Sequence, residues 1–385
     1  MKNVYIEGLG LVDDHFSGVG QYILGTIQGI DQQIEQRKIN GEKTPNVRVV
    51  IPYDKVSKFK KFHFKHIGYK TIPFSLRYAS GLNHRNKFPP LDLLCGPGFY
   101  IFTRFTAMPL LFSKYVVVVY DISFELFSQF SDEANAKFLS PRTKSAVHSA
   151  VKTITISQNA KQEIIDFYKV PASSVVVATP AADQRHFYRR SDSEIETAKQ
   201  KYGIKGDYIL SLSNLEPRKN LDGLVDAYCA LPKEVNNKLK LLLVGVNGWK
   251  TEKLFTKIIG KVDEGYNIIR PSHYIDDADK PAILSGAKML VYPSHYEGFG
   301  MPPLEALACG TPVVCASNSS LPEVVGDLAI QVTSSNTTAI TNAIKRTLDD
   351  SSITERARLE GPKQAENFNW TKSAEEYYKL ILENI

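Results

Sequence analysis

Residues 289–316 read MLVYPSHYEGFGMPPLEALACGTPVVCA, and this stretch decides the class of fold. The apolar runs Met289–Tyr292 and Val313–Ala316 are typical of buried strands, and Pro303–Cys309 between them is typical of a short helix. Two strands joined by a helix in so short a stretch indicate a parallel pair with a crossover connection. The sequence therefore predicts an α/β protein built on parallel sheets.

The same alternation of apolar runs and amphipathic stretches continues on both sides of this unit. One series begins with the predicted strand Asn3–Leu9 and includes the unbroken β-branched run in Val116–Tyr120, and a second series begins with Tyr208–Ser213. Two such series predict two doubly wound α/β domains. The other predicted strands are 47–53, 153–156, 175–178, 239–244 and 267–269, and the other predicted helices are 20–37, 132–151, 159–168, 220–231, 250–259, 278–287, 336–349, 352–367 and 371–384.

The join between the two domains is predicted within residues 186–206, where a polar run interrupts the alternation. We expect a first domain over residues 1–188, a second over 189–370, and a last helix over 371–385 that packs back on the first domain. Because ligands of doubly wound domains bind at the carboxyl ends of the strands, loops of both domains are expected to line a cleft.

Composition and charge narrow the class of protein. The chain has 385 residues, 43% hydrophobic and 23% charged, which fits about two globular domains and argues against wholesale disorder. Basic residues exceed acidic ones by ten within residues 1–190, whereas acidic residues are in excess by four within 191–385. The basic half is therefore expected to meet something anionic, although a solvated basic face is the plainer interpretation.

Apolar stretches and cysteines indicate the compartment. No run of about 18 apolar residues predicts a membrane-spanning helix. Glu7 stands where a signal peptide would need an apolar residue. The four cysteines fit no zinc spacing and are expected to be buried thiols in a reducing cytoplasm: Cys95, Cys229, Cys309 and Cys315.

Two loops after predicted strands suit an anionic ligand. Ser17-Gly18-Val19-Gly20 follows the first strand, and its small residues would let a phosphate or sugar approach a helix N-terminus, although a plain turn explains them equally. Asn214 to Asn220 follows the first strand of the second domain and contains Arg218 and Lys219, with Asn220 as the expected N-cap. Two cations at a helix start suit a diphosphate, and exposed basic residues in a turn are the alternative.

The loop after Met289–Tyr292 carries the strongest signal. Glu297 is expected in the loop and Glu305 inside the following helix, and carboxylates suit the vicinal hydroxyls of a sugar or a ribose. Gly298 and Gly300 would permit close backbone approach to such a ligand.

This loop resembles the E-x7-E motif of retaining nucleotide-sugar glycosyltransferases of glycosyltransferase family 4. The resemblance implies the GT-B fold, in which two Rossmann-like domains face a cleft and C-terminal helices close back. Its further matches, in the same order and at comparable spacing, are Ser17–Tyr22, Tyr120–Phe124, Thr153–Ala160, Leu215–Leu221, Tyr292–Ser317, Leu321–Gly326 and Phe368–Trp370.

The resemblance also implies roles for single residues. Lys219, helped by Arg218, would hold the donor diphosphate and stabilise it as it leaves, and Asn214 would lie in the same donor loop. Glu305 would bind the nucleotide ribose and Glu297 the transferred sugar. Further implied contacts to the donor come from the backbone of Gly298, Phe299, Gly300 and Met301 and, in the other domain, from Gly18, Val19 and Gly20. The implied catalytic residues are Asp121, which would face sugar and acceptor, with Glu297, Lys219 and Arg218.

Three departures from the family pattern bear on the donor sugar. Asn214 stands where many relatives have Arg or Thr, Tyr120 stands where many have His, and Pro180–Asp183 replaces the usual Asn-Gly. The contacts of this protein with the donor sugar are therefore expected to differ from those in relatives that carry the usual residues.

We expect no cofactor and no metal, since fixed cations and helix N-termini can stabilise the leaving diphosphate. Asp276-Asp277-Ala278-Asp279 superficially resembles a carboxylate metal motif, but helix capping is the preferred interpretation because a helix follows it.

The basic segment 55–70 is expected to contact the inner face of the cytoplasmic membrane. Its aromatic residues alternate with lysines, a pattern typical of anionic membrane surfaces, while an edge strand guarded by lysines is the alternative and nucleic acid is disfavoured. Apolar residues of 99–111 would line a path for a lipid-linked acceptor or form core. The lysines assigned to membrane or acceptor are Lys55, Lys58, Lys60, Lys61 and Lys65.

Within the family, the chain resembles bacterial rhamnosyltransferases of surface polysaccharide biosynthesis. The resemblance implies transfer of L-rhamnose from dTDP-rhamnose onto a lipid-linked N-acetylglucosamine diphosphate by a cytoplasmic, peripheral membrane enzyme. A GDP-mannose-dependent mannosyltransferase is the second choice. A nucleotide-sugar 2-epimerase and a non-catalytic membrane adaptor are the alternatives outside glycosyl transfer.

Overall fold

The computed structural model describes residues 3–13, 18–85, 87–271 and 275–385. Its internal contacts divide the chain into two compact units. The first unit is Met1–Pro180 together with Trp370–Ile385, and the second is Ala181–Asn369.

The described residues of the first unit form a seven-stranded sheet in which all neighbours are parallel. Its order is β3-β2-β1-β4-β5-β6-β7, so the direction of winding reverses between β1 and β4. The strands are β1 Asn3–Glu7, β2 Asn46–Pro52, β3 Gly68–Ile72, β4 Phe99–Phe102, β5 Lys114–Val118, β6 Lys152–Thr155 and β7 Val175–Val177.

The core of this unit is built on the central strands. Phe99–Phe102 and Val116–Val119 are buried throughout, as expected for strands of a parallel sheet with both faces covered. The helices are α1 Gly18–Ile39, α2 Val56–Lys60, α3 Leu76–His84, α4 Leu91–Cys95, α5 Ser123–Leu126, α6 Glu133–Ser149, α7 Gln158–Tyr168 and, from the end of the chain, α17 Trp370–Asn384.

The described residues of the second unit form a six-stranded parallel sheet of order β10-β9-β8-β11-β12-β13, which reverses between β8 and β11. The strands are β8 Asp207–Leu212, β9 Leu239–Val244, β10 Ile268–Ile269, β11 Met289–Tyr292, β12 Val313–Ala316 and β13 Ala329–Val332. The helices are α8 Asp192–Lys201, α9 Leu221–Cys229, α10 Lys233–Asn236, α11 Glu252–Asp263, α12 Lys280–Gly286, α13 Met301–Ala308, α14 Leu321–Val325, α15 Thr337–Asp349 and α16 Ser351–Glu366.

These two sheets confirm the prediction of an α/β chain with two doubly wound domains. The sequence missed β3, β4 and β13 as strands. The edge strands β3 and β13, with sequences GYKTI and AIQV, are short and partly polar, so neither shows a continuous apolar run. The aromatic residues Phe99, Tyr100 and Phe102, considered for a lipid path, are core side chains of β4, whereas Leu111 is exposed.

Helix α17 packs against α1 within the first unit, and glycine makes the approach close. A Cβ placed on Gly29 would lie 2.7 Å from the Cβ of Ala374 and 2.7 Å from the carbonyl oxygen of Trp370. The Tyr22 hydroxyl lies 3.1 Å from the Tyr377 hydroxyl and donates to the carbonyl oxygen of Ala178 at 2.8 Å.

Residues 181–188, which the sequence analysis placed in the first domain, lie in the second unit. The Gln184 amide donates to the carbonyl oxygen of Pro362, and the His186 ring lies 2.9 Å from the carbonyl oxygen of Asp277. These hydrogen bonds join the segment to the second unit, and apolar periodicity does not reveal such contacts.

In the described part of the chain, no helix combines the length and apolarity needed to cross a bilayer. The thiols of Cys95, Cys309 and Cys315 are buried and that of Cys229 is half-buried, and burial raises the pKa of each.

Candidate active site

A buried cluster of charges lies where the second sheet reverses its winding. Lys219 follows β8 and Glu297 follows β11, and these two strands are neighbours in the sheet. The carboxyl ends of strands at such a reversal form the usual ligand-binding crevice of doubly wound folds. The backbone N–H of His295 donates to the carbonyl oxygen of Arg218 at 2.8 Å, so the two loops are tied together.

Lys219 is at the centre of the cluster. Its Nζ donates to Glu297 Oε1 at 2.7 Å and to the Tyr292 hydroxyl at 3.0 Å. Only 7% of Lys219 and 6% of Glu297 is exposed, so this ion pair is almost fully withdrawn from water. A buried pair of this kind is costly to break, because the remaining charge would be left without a partner.

Arg218 adds a second cation and a second carboxylate. Its Nη1 donates to Glu297 Oε2 at 3.1 Å and to the carbonyl oxygen of Tyr296 at 2.7 Å. Its Nε and Nη2 donate to Glu216 Oε1 at 3.1 and 2.8 Å, and Glu216 is buried. With two cations and two carboxylates, the cluster has a formal net charge of zero.

The cluster changes the ionisation of its members. Burial raises the pKa of the Glu297 carboxyl, but the charges of Lys219 and Arg218 outweigh burial and lower it to about 2. Burial, and then the charge of Arg218, lowers the pKa of the Lys219 ammonium, while Glu297 and Glu216 oppose that change. Burial raises the pKa of the Tyr292 phenol well above its ordinary value, so it stays a neutral hydrogen-bonding partner.

The loop from Glu297 to α13 presents backbone donors beside this cluster. Gly300 has a φ of 113°, and a Cβ there would lie 2.7 Å from Leu321 Cδ2, so the turn requires glycine. Among the described residues, no group accepts from the N–H groups of Phe299, Gly300 and Met301. The loop is held from behind by the Ser320 hydroxyl, 2.9 Å from the carbonyl oxygen of Glu297 and 2.7 Å from that of Phe299.

Glu305 lies inside α13, as the sequence predicts, and has the opposite electrostatics to Glu297. It is 7% exposed, and burial raises the pKa of its carboxyl to about 7. The charge of Lys280 lowers this pKa, and the charge of Asp277 raises it. Gly298, the remaining residue of the predicted loop, is buried.

Asn214 and Asn220 differ in their positions. Asn214 is exposed just beyond the end of β8. Asn220 does not cap α9 with its side chain: it has a left-handed φ of 52°, and its amide donates to the carbonyl oxygens of Pro293 at 3.2 Å and Ser334 at 2.6 Å. Asn220 is therefore the N-cap residue of α9, as predicted, but its amide bonds carbonyls of two other loops and makes no capping hydrogen bond.

The other predicted site residues lie in the first unit. Asp121 is half-buried beyond the end of β5, and its carboxylate accepts from the backbone N–H of Ser123 at 2.8 Å. Gly18, Val19 and Gly20 form the first turn of α1, and Ser17 lies outside the described residues.

The basic segment 55–70 is not one continuous edge strand. It contains the short helix α2 and reaches β3 only at residue 68. Its aromatic rings pack on one another, with Phe59 buried and 5.4 Å from Phe64 and 5.5 Å from Tyr69 between ring centres.

The five lysines assigned to membrane or acceptor do not form one free surface. Lys58 donates to the carbonyl oxygen of Asp13, and Lys65 pairs with Glu35 at 2.8 Å. Lys55 is half-buried, whereas Lys60 and Lys61 are exposed at the end of α2.

Asp276 and Asp279 stand at the N-cap positions of a short 3-10 turn over residues 277–279 and of α12, as the capping interpretation predicts, but their carboxylates form ion pairs. Lys201 Nζ donates to Asp276 at 2.7 Å and to Asp279 at 2.6 Å, and neither carboxylate makes a side-chain cap. No group of three His, Cys, Asp or Glu side chains in the described ranges could hold a metal ion.

Comparison with known proteins decides the family. The family model described as "Glycosyl transferases group 1" matches residues 194–364, which include the whole charge cluster. O-antigen chain mannosyltransferase B of Escherichia coli is 34% identical over 290 residues, covering 74% of this chain and 74% of that protein. The chain belongs to the group 1 glycosyl transferases. It is a glycosyltransferase, as the sequence resemblance implied.

Other relatives agree with this family and cover less of the chain. Serotype-specific mannosyltransferase WbdA of Escherichia coli is 29% identical over 224 residues, which are 57% of this chain but only 27% of that protein. Mannosylfructose-phosphate synthase of Agrobacterium fabrum is 30% identical over 166 residues, which are 41% of this chain and 36% of that protein.

Solved structures confirm the GT-B fold. Anabaena Alr3699/HepE, solved with UDP and glucose, matches all of this chain and all of its own with a TM-score of 0.70 at 18% identity. WaaG, a glycosyltransferase involved in lipopolysaccharide biosynthesis, matches 98% of this chain and 99% of its own with a TM-score of 0.66 at 15% identity. At these identities the likeness concerns the fold alone.

Two members of the cluster, Glu216 and Tyr292, are not among the site residues predicted from the sequence. Glu216 stands two residues before Arg218 and holds its guanidinium, and Tyr292 ends β11 and contacts Lys219. The acidic residue inside a basic motif was a usable signal for Glu216. Nothing in the sequence distinguishes Tyr292 from a core tyrosine.

Proposed function

We propose that this glycosyltransferase moves a hexose from a nucleotide diphosphate sugar onto a lipid-linked saccharide of a surface polysaccharide, with retention at the anomeric carbon. The buried cluster of Lys219, Arg218, Glu297 and Glu216 carries the proposal, because two cations and a carboxylate of a type suited to sugar hydroxyls lie together at the reversal point of one sheet.

The chemistry follows from the charges. The bond from the sugar C1 to the diphosphate oxygen breaks, and negative charge grows on the leaving oxygen. Lys219 and Arg218 stabilise that charge, with support from the N–H groups of Phe299, Gly300 and Met301. The acceptor oxygen bonds to C1 on the same face, and its proton passes to the departing diphosphate. Glu297 accepts from hydroxyls of the sugar, and Glu305 accepts from those of the ribose.

Mannose from GDP-mannose is the first choice of donor. This choice is supported by the printed names of the relatives, which include O-antigen chain mannosyltransferase B and mannosyltransferase WbdA. The dTDP-rhamnose donor, which the sequence resemblance implied, stays a prediction and is the second donor to be tested. No observation favours a 2-epimerase or a membrane adaptor, so neither is proposed.

Two assays with the full chain test the donor. In a thermal unfolding assay, GDP, dTDP or UDP at a hundred times its dissociation constant stabilises a specific site by about 2.7 kcal/mol. Radiolabelled GDP-mannose, dTDP-rhamnose and UDP-glucose are then supplied with a synthetic lipid-linked N-acetylglucosamine diphosphate. We expect transfer of mannose, and we expect NMR of the product to show an unchanged anomeric configuration. Absence of transfer from all three donors contradicts the proposal.

We also propose that the acceptor is reached at an anionic membrane surface, through the exposed Lys60 and Lys61 at the end of α2. Each lysine near such a surface contributes roughly 1 kcal/mol, so the double change Lys60→Glu and Lys61→Glu should weaken binding by at least roughly 2 kcal/mol, about thirtyfold.

Sedimentation with vesicles of phosphatidylcholine and phosphatidylglycerol measures this binding. The matched control changes two other lysines of the first unit, Lys144→Glu and Lys379→Glu, and should bind more tightly than the Lys60 and Lys61 variant. Equal loss in both double variants would show that only net charge matters and would contradict the assignment to α2.

A further inference from the structure

A second polar pocket lies in the first unit, where that sheet also reverses its winding. The reversal falls between β1 and β4, and the pocket of about 210 Å³ lies beyond the carboxyl ends of these strands. We name it the switch-point pocket. The residues used below are Glu7, Asn83, Arg104, Phe105, Met108 and Asn135.

A buried ion pair forms one wall of the switch-point pocket. Glu7, 3% exposed, ends β1, and its Oε2 accepts from the backbone N–H of Thr103 at 3.1 Å. Its Oε1 accepts from Nε of Arg104 at 2.7 Å. Since only Nε is used, both Nη groups of Arg104 have no hydrogen-bond partner in the ranges that the structure describes, and 28% of this side chain is exposed. Glu7 Oε2 also accepts from Thr103 Oγ1 at 3.2 Å, so Glu7 is the fixed support and the Nη groups of Arg104 are the donors that the pair offers.

The remaining walls combine amides with apolar surface. The side-chain amides of Asn83, on α3, and Asn135, on α6, make no hydrogen bond to another described residue. Phe105 and Met108 supply apolar surface, and Phe105 has a left-handed φ of 58°, which is rare for an aromatic residue. Strain of this kind is often retained where it serves a function.

The size and chemistry of the switch-point pocket select its ligand. A cavity of about 210 Å³ is of a size that suits one sugar ring. It is smaller than the roughly 300–1,000 Å³ typical for larger ligands, such as a nucleotide sugar. A formally neutral ion pair, two amides and an apolar wall suit a polyhydroxyl ring better than a phosphate.

We propose that the switch-point pocket binds the terminal sugar ring of the acceptor, with hydroxyls bonded to Arg104, which Glu7 holds in place, and to Asn83 and Asn135. This inference rests on the proposed function. The pocket is joined to the loop of Asp121, because the hydroxyl of the preceding Tyr120 donates to the carbonyl oxygen of Thr103 at 2.8 Å and its ring lies 5.2 Å from that of Phe105.

Steady-state kinetics of the full chain test the pocket, with the lipid-linked N-acetylglucosamine diphosphate and the best donor each varied. The test variants are the double change Asn83→Ala and Asn135→Ala, which removes two surface amides, and Arg104→Lys, which keeps a cation beside Glu7. The matched control is Lys137→Ala, on α6 two residues from Asn135. The acceptor KM is expected to rise at least tenfold in both test variants and to stay within twofold in the control. The donor KM is expected to stay within twofold in all of them.

Unchanged acceptor KM in both test variants, with active wild type, overturns the pocket and leaves the proposed function intact. Equal changes in donor and acceptor KM also overturn it, because they indicate a general structural effect. Absence of transfer by the wild type overturns the proposed function and the pocket with it. Thermal stabilisation by the nucleotide, measured on every variant, shows that the second unit stays folded.

Discussion

Glu297 and Glu305 lie eight positions apart in the chain and in opposite electrostatic surroundings. Two cations hold Glu297 ionised, with a pKa of about 2, whereas burial raises the pKa of Glu305 to about 7. A carboxylate fixed as an anion suits several sugar hydroxyls, and one that titrates near neutrality makes ribose binding dependent on pH. These two residues therefore give opposite pH dependences of stability.

Glu297→Gln tests the lower pKa. The pKa of Glu297 falls on folding from 4.5 to about 2, so its charge stabilises the native chain above pH 4.5, and this stabilisation is lost as the pH falls towards 2. At pH 7 the variant should be less stable than the wild type by up to about 3 kcal/mol in urea unfolding, and the gap should close near pH 2. A gap that does not change with pH contradicts the prediction. Glu252→Gln, at an exposed carboxylate on α11, is the control and should show almost no gap.

Glu305→Gln tests the raised pKa, with the opposite sign. Between pH 4.5 and 7 the folded chain holds a proton that the unfolded chain has released, so the wild type loses stability as the pH rises through this range. Glutamine stays neutral, so the stability of the variant relative to the wild type should increase by up to about 3 kcal/mol from pH 4.5 to pH 8. The same urea series measures it, and parallel pH curves for the two proteins would refute it.

At the scale of elements, the contact between α1 and α17 depends on a small residue. Gly29 leaves room for Ala374 and the backbone of Trp370, whereas a Cβ on Gly260 in α11 would meet open space. Both glycines lie inside helices, so they form a matched pair.

Gly29→Ala should destabilise the chain and Gly260→Ala should not. Overpacking typically costs about 1–3 kcal/mol and is expected to outweigh the helix propensity of alanine, which alone favours Gly260→Ala by up to about 1 kcal/mol. Thermal unfolding of both variants measures the difference. A higher unfolding temperature for Gly29→Ala would show that the helices can move apart without cost.

At the scale of the whole molecule, the sequence predicted the central strands best. The bounds of Leu239–Val244, Met289–Tyr292 and Val313–Ala316 agree in prediction and structure, because each is a short apolar run in the interior of a sheet. β3 was missed because an edge strand needs no continuous apolar run.

The positions of the site residues in the fold were more predictable from the sequence than their hydrogen-bond and ion-pair partners. Arg218, Lys219 and Glu297 all follow strands that are neighbours in the sheet, so the topology brings them together. Contacts such as Arg218 with Glu216, or the amide of Asn220 with two carbonyl groups, depend on side-chain directions that spacing does not reveal.

The most direct test of the charge cluster is kcat/KM for the best donor in the wild type and in Lys219→Ala. If Lys219 stabilises the leaving diphosphate, kcat/KM should fall at least about a hundredfold, as for removal of one transition-state donor, while Lys261→Ala, a control on α11, should stay within twofold. Since the variant also leaves Glu297 with one cation fewer, rates are taken below its own unfolding temperature. Equal kcat/KM for the wild type and folded Lys219→Ala would contradict the assignment of the active site.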